Sequence, residues 1–184
     1  NQEYKVLSEC IQSIIDQSHS DLEIILCNNY SDNGTEHLIN NFAKLDERIN
    51  VIMPHQFLNL GESFLFSLEQ GSSEYICYLS SDDILEKDCI KIQLEFLLKN
   101  NNVDICHGKS LYFNEQQQDQ ISWDYYPKTG VYDVDVKTLN RIFKFEYVCF
   151  CGCLLRRSKL QKIIHQLKKM PFKLSLVLDT YILG

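Results

Sequence analysis

Apolar residues recur at helical spacing at Leu7, Cys10, Ile11, Ile14 and Ile15, which predicts an amphipathic helix over residues 4–17. Glu23 to Cys27 follows as a short run rich in branched residues, the pattern of a strand buried on both faces. Asn28 to Gly34 is turn chemistry, and Thr35 is placed to cap a helix with Glu36 in its first turn and Leu38, Ile39 and Phe42 on its inner face. Ile49 to Met53 reads as a strand stopped by Pro54. After Asn59-Leu60-Gly61 a helix turns Phe64, Leu65 and Leu68 inward and closes at Gly71. Tyr75 to Leu79 is again a strand, residues 88–99 a helix, and Val103 to Cys106 a further strand.

Helices alternating with short apolar strands across short connections predict an α/β fold, a Rossmann-like, mostly parallel sheet flanked by helices. Beyond Lys109 the regularity weakens. Gln116-Gln117-Gln118 with Asp119 looks like a loop tip, and Trp123 to Pro127 has no clear period, so irregular structure with antiparallel pairing is expected there. A helix over 135–144, a strand from Tyr147 to Leu155, a helix capped by Ser158 and a last helix around Asp179 complete the expectation.

The 184 residues suffice for one domain, burying about 70% of the unfolded surface at that size. At 45% hydrophobic residues and 23% charged, with only 7 Gly and 3 Pro, the chain falls outside the disordered and collagen-like classes. Its longest apolar runs, such as Cys149 to Leu155, fall well short of the ~20 residues of a membrane helix. No basic start followed by an apolar run opens it, so nothing in it argues for secretion. The 8 cysteines lie mostly inside apolar segments and read as reduced core residues. The Cys149, Cys151, Cys153 run could ligate zinc but lacks the paired Cys-x-x-Cys turns of structural sites.

Charge is unevenly placed. Residues 1–146 carry 11 Lys/Arg against 24 Asp/Glu, and residues 147–184 carry 7 against 1. The basic stretch 156–173 holds Arg156, Arg157, Lys159, Lys162, Lys168, Lys169 and Lys173 with no acid among them, so an anionic partner and a solvated helix face are both open. Nucleic acid is not expected, because the remaining surface is acidic and no binding motif is present.

In open α/β sheets ligands bind beyond the carboxyl ends of strands. Two segments there carry chemistry: Asn28 to Thr35, and Ser80-Ser81-Asp82-Asp83. Adjacent acids at a strand end repel each other, and a divalent cation with its anionic ligand offsets that cost. A plain helix cap or loop start is the competing reading of Asp82 and Asp83. The five histidines are widely spaced and form no i, i+4 metal pair, and there is neither Gly-x-Gly-x-x-Gly nor a P-loop lysine.

The order Ser13-Ile14, Gln17-Ser18-His19, Leu22-Glu23-Ile24-Ile25, Ser31-Asp32-Asn33-Gly34-Thr35, Asn59-Leu60-Gly61, Glu74-Tyr75-Ile76 and Leu79-Ser80-Ser81-Asp82-Asp83 resembles the GT-A fold glycosyltransferases of family 2. The resemblance is close over roughly residues 1–98 and looser into Gly152 to Ser158. It implies one domain over 1–184, with 1–108 the nucleotide-sugar-binding half and 109–184 the acceptor-side half. It also implies an apolar strand preceding Asn1, so a fragment is expected. The activity implied is inverting transfer of a sugar from a nucleoside diphosphate, with uridine as the first choice, to a hydroxyl on a glycan or lipid-linked acceptor, in polysaccharide synthesis.

By the same resemblance Mg²⁺ or Mn²⁺ is the cofactor, with Asp82 as metal ligand and Asp83 as secondary candidate. Ser80 stands where the family has its first acid, with Ser81 beside it. Asn28 and Asn29 stand where it often has two acids that contact the base, and an amide oxygen can still accept a hydrogen bond there without the charge. Asn59 and Gly61 lie where the family's loop approaches the donor. Asp179 matches the acid that serves as catalytic base, and its apolar neighbours would raise its pKa toward a useful range. The aromatic segment Trp123 to Tyr126 could stack on a sugar ring or simply anchor a surface loop. A cytoplasmic location is expected, at the inner membrane surface if the basic stretch meets lipid. The rival reading is a non-catalytic GT-A-like module with a degenerate donor site.

Overall fold

The computed structural model describes residues 2–31, 34–114, 117–123, 131 and 151–167. Within them the chain runs α1 (Gln2–Ile15), β1 (Ile24–Cys27), α2 (Thr35–Leu45), β2 (Ile49–Ile52), α3 (Leu60–Glu69), β3 (Tyr75–Cys77), α4 (Cys89–Lys99), β4 (Ile105–Cys106), β5 (Ser110–Asn114), β6 (Gln117–Trp123), β7 (Leu154–Arg156) and α5 (Arg157–Leu167).

Two apolar clusters hold these elements. In the first, Ile11 of α1 and Ile39 of α2 pack on Ile24 of β1 and Ile49 of β2, which run parallel and in register from Ile24 opposite Ile49 to Cys27 opposite Ile52. In the second, Phe64, Leu65 and Leu68 of α3 and Leu160 and Ile164 of α5 close over Leu155 of β7. The helical periods read from the sequence therefore place the right faces inward, because burying these stripes is what makes short helices stable.

The expected run of parallel strands is realised differently in the second cluster. β7 lies between β3 and β4 and is antiparallel to both, so that Leu155 sits opposite Ile76 on one side and Ile105 on the other. Strands β3 and β4 thus run in the same direction but do not touch as a ladder. The buried side chain of Gln93 in α4 sets this insertion: its Nε2 donates to Gly152 O at 2.7 Å and its Oε1 accepts from Leu154 N at 2.9 Å.

Several boundaries move. Thr35 opens α2 as its first residue instead of capping it. The cap position falls on Gly34 at φ 81°, a left-handed angle that favours glycine; a Cβ there would also lie 2.7 Å from the Tyr4 hydroxyl, which would have to move aside. The expected strand from Tyr147 is confined, in the described residues, to Leu154–Arg156, since Cys151 and Gly152 form a turn with Gly152 at φ 77°. Of the Cys149, Cys151, Cys153 run, Cys151 lies in this turn and Cys153 is buried just before β7, whereas Cys149 lies outside the described residues. Ser158 lies inside α5, one residue after its start. Gln117, Gln118 and Asp119 belong to β6, which pairs antiparallel with β5 as a hairpin rather than forming a loop tip. Trp123 closes β6, whereas residues 124–127 and the helix expected over 135–144 lie outside the described residues. No helix among the described residues is long and apolar enough to cross a membrane.

Candidate functional site

Two loops leave the carboxyl ends of β1 and β3, and they are built in different ways. After β1, Asn28 is buried: its backbone N–H donates to Ile52 O at 2.9 Å, continuing the β1–β2 ladder. Its Oδ1 accepts from Ser31 N at 3.0 Å and closes a tight turn, while its Nδ2 is buried without a hydrogen-bond partner among the described residues. An unmet buried donor costs roughly 1–3 kcal/mol. Between these two partners Tyr30 adopts φ 61°, a left-handed conformation unusual for a residue with a side chain.

Asn29 faces the next loop. Its Nδ2 donates to Leu58 O at 2.8 Å and its Oδ1 accepts from Leu58 N at 2.9 Å, a two-way pair that a carboxylate, which only accepts, could not make. The amide thereby ties the β1 loop to the segment entering α3. Asn59 then caps α3 through a reciprocal box, its Oδ1 accepting from Glu62 N at 3.0 Å and its own N–H donating to Glu62 Oε2 at 3.1 Å. Gly61 is buried in the first turn of that helix.

After β3, the turn carrying Ser80, Ser81, Asp82 and Asp83 is held from behind. Cys10 of α1 donates its thiol to Ser80 O at 3.3 Å, and Ser80 Oγ lies 3.1 Å from Cys151 Sγ in the turn before β7. Ser13 Oγ accepts from Leu85 N at 3.1 Å. The buried amide of Gln17 donates to Glu86 O at 2.8 Å and accepts from Ile90 N at 3.1 Å. Ser81 and Asp82 remain exposed and Asp83 half-buried. Burial, with the nearby charges of Asp83 and Asp82, pushes the Cys10 thiol up to about 12.

Among the described residues no three His, Cys, Asp or Glu side chains gather as a ready metal cage. The two acids of this turn do fit a hard divalent ion of the kind bound through one or two carboxylates, with water and substrate phosphate completing its shell. The seven described cysteines are all free thiols, and burial raises Cys77 to about 12 and Cys27 to about 11, as expected of reduced core residues.

The sequence reading missed the roles of Cys10, Ser13, Gln17, Gln93 and Cys151. Ser13 and Gln17 lay within the motif order that carried the resemblance, but only the folded contacts reveal that they brace the acidic turn. Asp179 lies outside the described residues.

The basic stretch is partly accounted for. Arg156 donates to Leu97 O at 2.7 Å, Val103 O at 3.0 Å and Tyr75 Oη at 2.8 Å, and its guanidinium lies over the Tyr75 ring. Arg157 donates to Gln70 O and Ser73 O, and Lys159 pairs with Asp104 at 3.3 Å. A cavity of about 330 Å³ between α3, β3 and α5, floored by Leu68, Ile76 and Leu160, involves none of the candidate site residues.

Residues 1–164 match the family described as glycosyl transferase family 2. The chain belongs to that family. It is 30% identical over 105 residues to a Bacillus subtilis (strain 168) protein named "Putative teichuronic acid biosynthesis glycosyltransferase TuaG", covering 57% of this chain and 42% of that one. It is 26% identical over 111 residues to glycosyltransferase GlyA of Streptococcus pneumoniae serotype 4 (strain ATCC BAA-334 / TIGR4), covering 60% of this chain and 16% of the relative. The chain thus spans well under half the length of these relatives. Among solved structures, S. aureus TarS 1–349 in complex with UDP-GlcNAc superposes with a TM-score of 0.68 at 16% identity, over 87% of this chain and 44% of TarS 1–349. The α/β architecture of this family 2 chain is therefore of the GT-A type.

Proposed function

We propose that this family 2 chain is a domain of an inverting, metal-assisted glycosyltransferase, residues 1–108 on the donor side and 109–184 on the acceptor side, that moves a sugar from a nucleoside-diphosphate sugar, UDP-linked as first choice, to an acceptor hydroxyl in glycan or surface polysaccharide synthesis. One observation carries the reading: the acidic turn Ser80 to Asp83, with Ser81 and Asp82 exposed, and the hydrogen-bonded loop Asn28 to Ser31 follow the carboxyl ends of two strands of the α/β fold. The ligands of structural relatives support it. TarS is in complex with UDP-GlcNAc, and the mannosyltransferase PcManGT of Pyrobaculum calidifontis, with a TM-score of 0.50 at 14% identity over 55% of this chain and 31% of its own, is in complex with GDP-Man and Mn²⁺. The name of the B. subtilis relative supports the polysaccharide assignment.

Asp82, with Asp83 beside it, would hold Mg²⁺ or Mn²⁺, whose charge would offset that of the departing diphosphate. Asn28, Asn59, Gly61, Ser80 and Ser81 would shape the donor site, with Asn29 fixing the loop that lines it. Asp179 would accept the proton of the acceptor hydroxyl. A lipid-linked acceptor at a membrane surface would meet the basic stretch 156–173, relying less on Arg156 and Arg157, which already serve backbone carbonyls.

A second reading, a non-catalytic module of the same fold, is favoured by two observations. Asn29 has both amide groups engaged by Leu58, and a serine stands at position 80 where the resemblance calls for an acid. Calorimetric titration with UDP, with and without Mn²⁺, separates the two. Mn²⁺-dependent binding that weakens at least about tenfold in Asp82→Asn supports the enzyme. Failure of the whole protein to bind UDP, GDP or CDP under either condition favours the module.

A further inference from the structure

The loop after β1 contains a residue that neither folding nor the donor reading so far explains. Tyr30 is the one non-glycine residue at positive φ among the described residues, at 61°. Glycine would adopt this conformation without strain, whereas a side chain there is disfavoured by contact between its Cβ and the backbone. Folding gains little from the ring in return: Tyr30 is 46% exposed, and among the described residues its hydroxyl has no hydrogen-bond partner.

The backbone that carries the ring is nevertheless held in place. On one side the Asn28 side chain closes the turn onto Ser31 N, and on the other the Asn29 amide is locked to the backbone of Leu58. With both neighbours pinned, the backbone cannot carry Tyr30 inward without breaking these bonds. The segment on the far side of the Asn29–Leu58 tie is also apolar and open: Phe57 is 69% exposed and Leu60 77%. An aromatic residue at a left-handed backbone position, exposed on a pinned turn after a strand, with Phe57 and Leu60 exposed in the segment tied to that turn through Asn29, suits a flat, uncharged ligand group.

Taking the nucleoside-diphosphate reading above as its basis, we propose that Tyr30 is the platform on which the nucleobase of the donor stacks. The two acids that suit a cation and its diphosphate are in the other turn, Ser80 to Asp83, so the aromatic loop receives an uncharged end of the donor. Of its uncharged parts, the base is the flat π-system that gains most from a tyrosine face. The left-handed backbone is retained because a glycine there would relieve strain and lose the ring.

The test compares UDP affinity in Mn²⁺ with thermal stability for the whole protein and three variants. Tyr30→Phe keeps the ring and binds UDP within about twofold of wild type, because stacking needs the π-face and not the hydroxyl. Tyr30→Ala and Tyr30→Gly both weaken UDP by roughly 5- to 100-fold, the range expected for one lost base–aromatic stack. Tyr30→Gly does so with an unchanged or higher Tm. Uridine competes with UDP for wild type, whereas a sugar 1-phosphate leaves the Tyr30-dependent part of binding untouched. Wild-type affinity in Tyr30→Gly overturns this inference alone. Loss in Tyr30→Gly with retention in Tyr30→Ala also overturns it, since loop stiffness would then be the cause. Absence of UDP binding by the wild type overturns it together with the donor reading.

Discussion

The loop after β1 and the turn after β3 occupy equivalent places in the fold, yet one is braced through its own asparagines and the other from outside. Asn28 and Asn29 use their side chains to close a turn and to grip Leu58, so the residues that mark the loop in sequence also form its frame. In the acidic turn Ser81 and Asp82 stay open, and the bracing comes from Cys10 and Cys151, which hold Ser80, and from Ser13 and Gln17, which hold the segment 85–90 that follows. The proposed cation role would need carboxylates left free of hydrogen bonds, and support from other elements is consistent with that. A loop that presents a ring is free to spend its polar side chains on stiffness.

Removing the external brace should have the largest structural effect. Gln17→Ala takes away a buried amide and leaves Ile90 N and Glu86 O without their partner. A loss of about 2–4 kcal/mol in denaturant unfolding is expected, with weaker Mn²⁺-dependent UDP binding as the segment after Asp83 loosens. A loss under about 0.5 kcal/mol would mean that the acidic turn holds itself.

The internal frame is tested more gently by Asn29→Asp. Aspartate can still accept from Leu58 N but faces Leu58 O with a carboxylate in place of a donor. Destabilisation of about 1–2 kcal/mol is expected, roughly 2–8 °C in Tm. An increase in UDP affinity alongside that loss would show that the position had been released for base contact, which would break the contrast drawn between the two loops.

The smallest effect concerns pH. Burial raises Cys10 and Cys77 to about 12 in the folded protein, whereas an unfolded thiol ionises near 8.5. A raised folded-state pKa contributes stability that is fully present below the unfolded value and is lost as pH rises through the folded one. Tm should therefore stay level from neutral pH to about 8.5 and fall between there and about 12, with a shallower fall in Cys10→Ala. An identical slope in that variant would place the Cys10 thiol in water rather than against Ser80.

Much of the frame was legible from periodicity. Leu7 to Ile15, and Phe64, Leu65 and Leu68, bury the faces their spacing predicts, because a helix or strand has a fixed repeat and water sorts its sides. Boundaries were less legible where a backbone angle decided them, as at Gly34 and Gly152, whose positive φ ends one element and aims the next. The candidate residues themselves were found by their positions after strands and by the order of motifs. What held them was not found, because Gln17 reaches Ile90 and Gln93 reaches Leu154 across long sequence separations that no local pattern encodes.

By itself, the sequence determined the α/β class, the inward faces of the helices and the two strand-end loops that carry the candidate residues, since each depends on local repeat and residue type. Only the tertiary structure decided that β7 enters antiparallel between β3 and β4, that Asn29 serves Leu58, and that Tyr30 stands strained and open. Those outcomes depend on which distant backbone groups meet once the chain has closed on itself, and a buried polar group takes whichever partner the packing brings within about 3 Å.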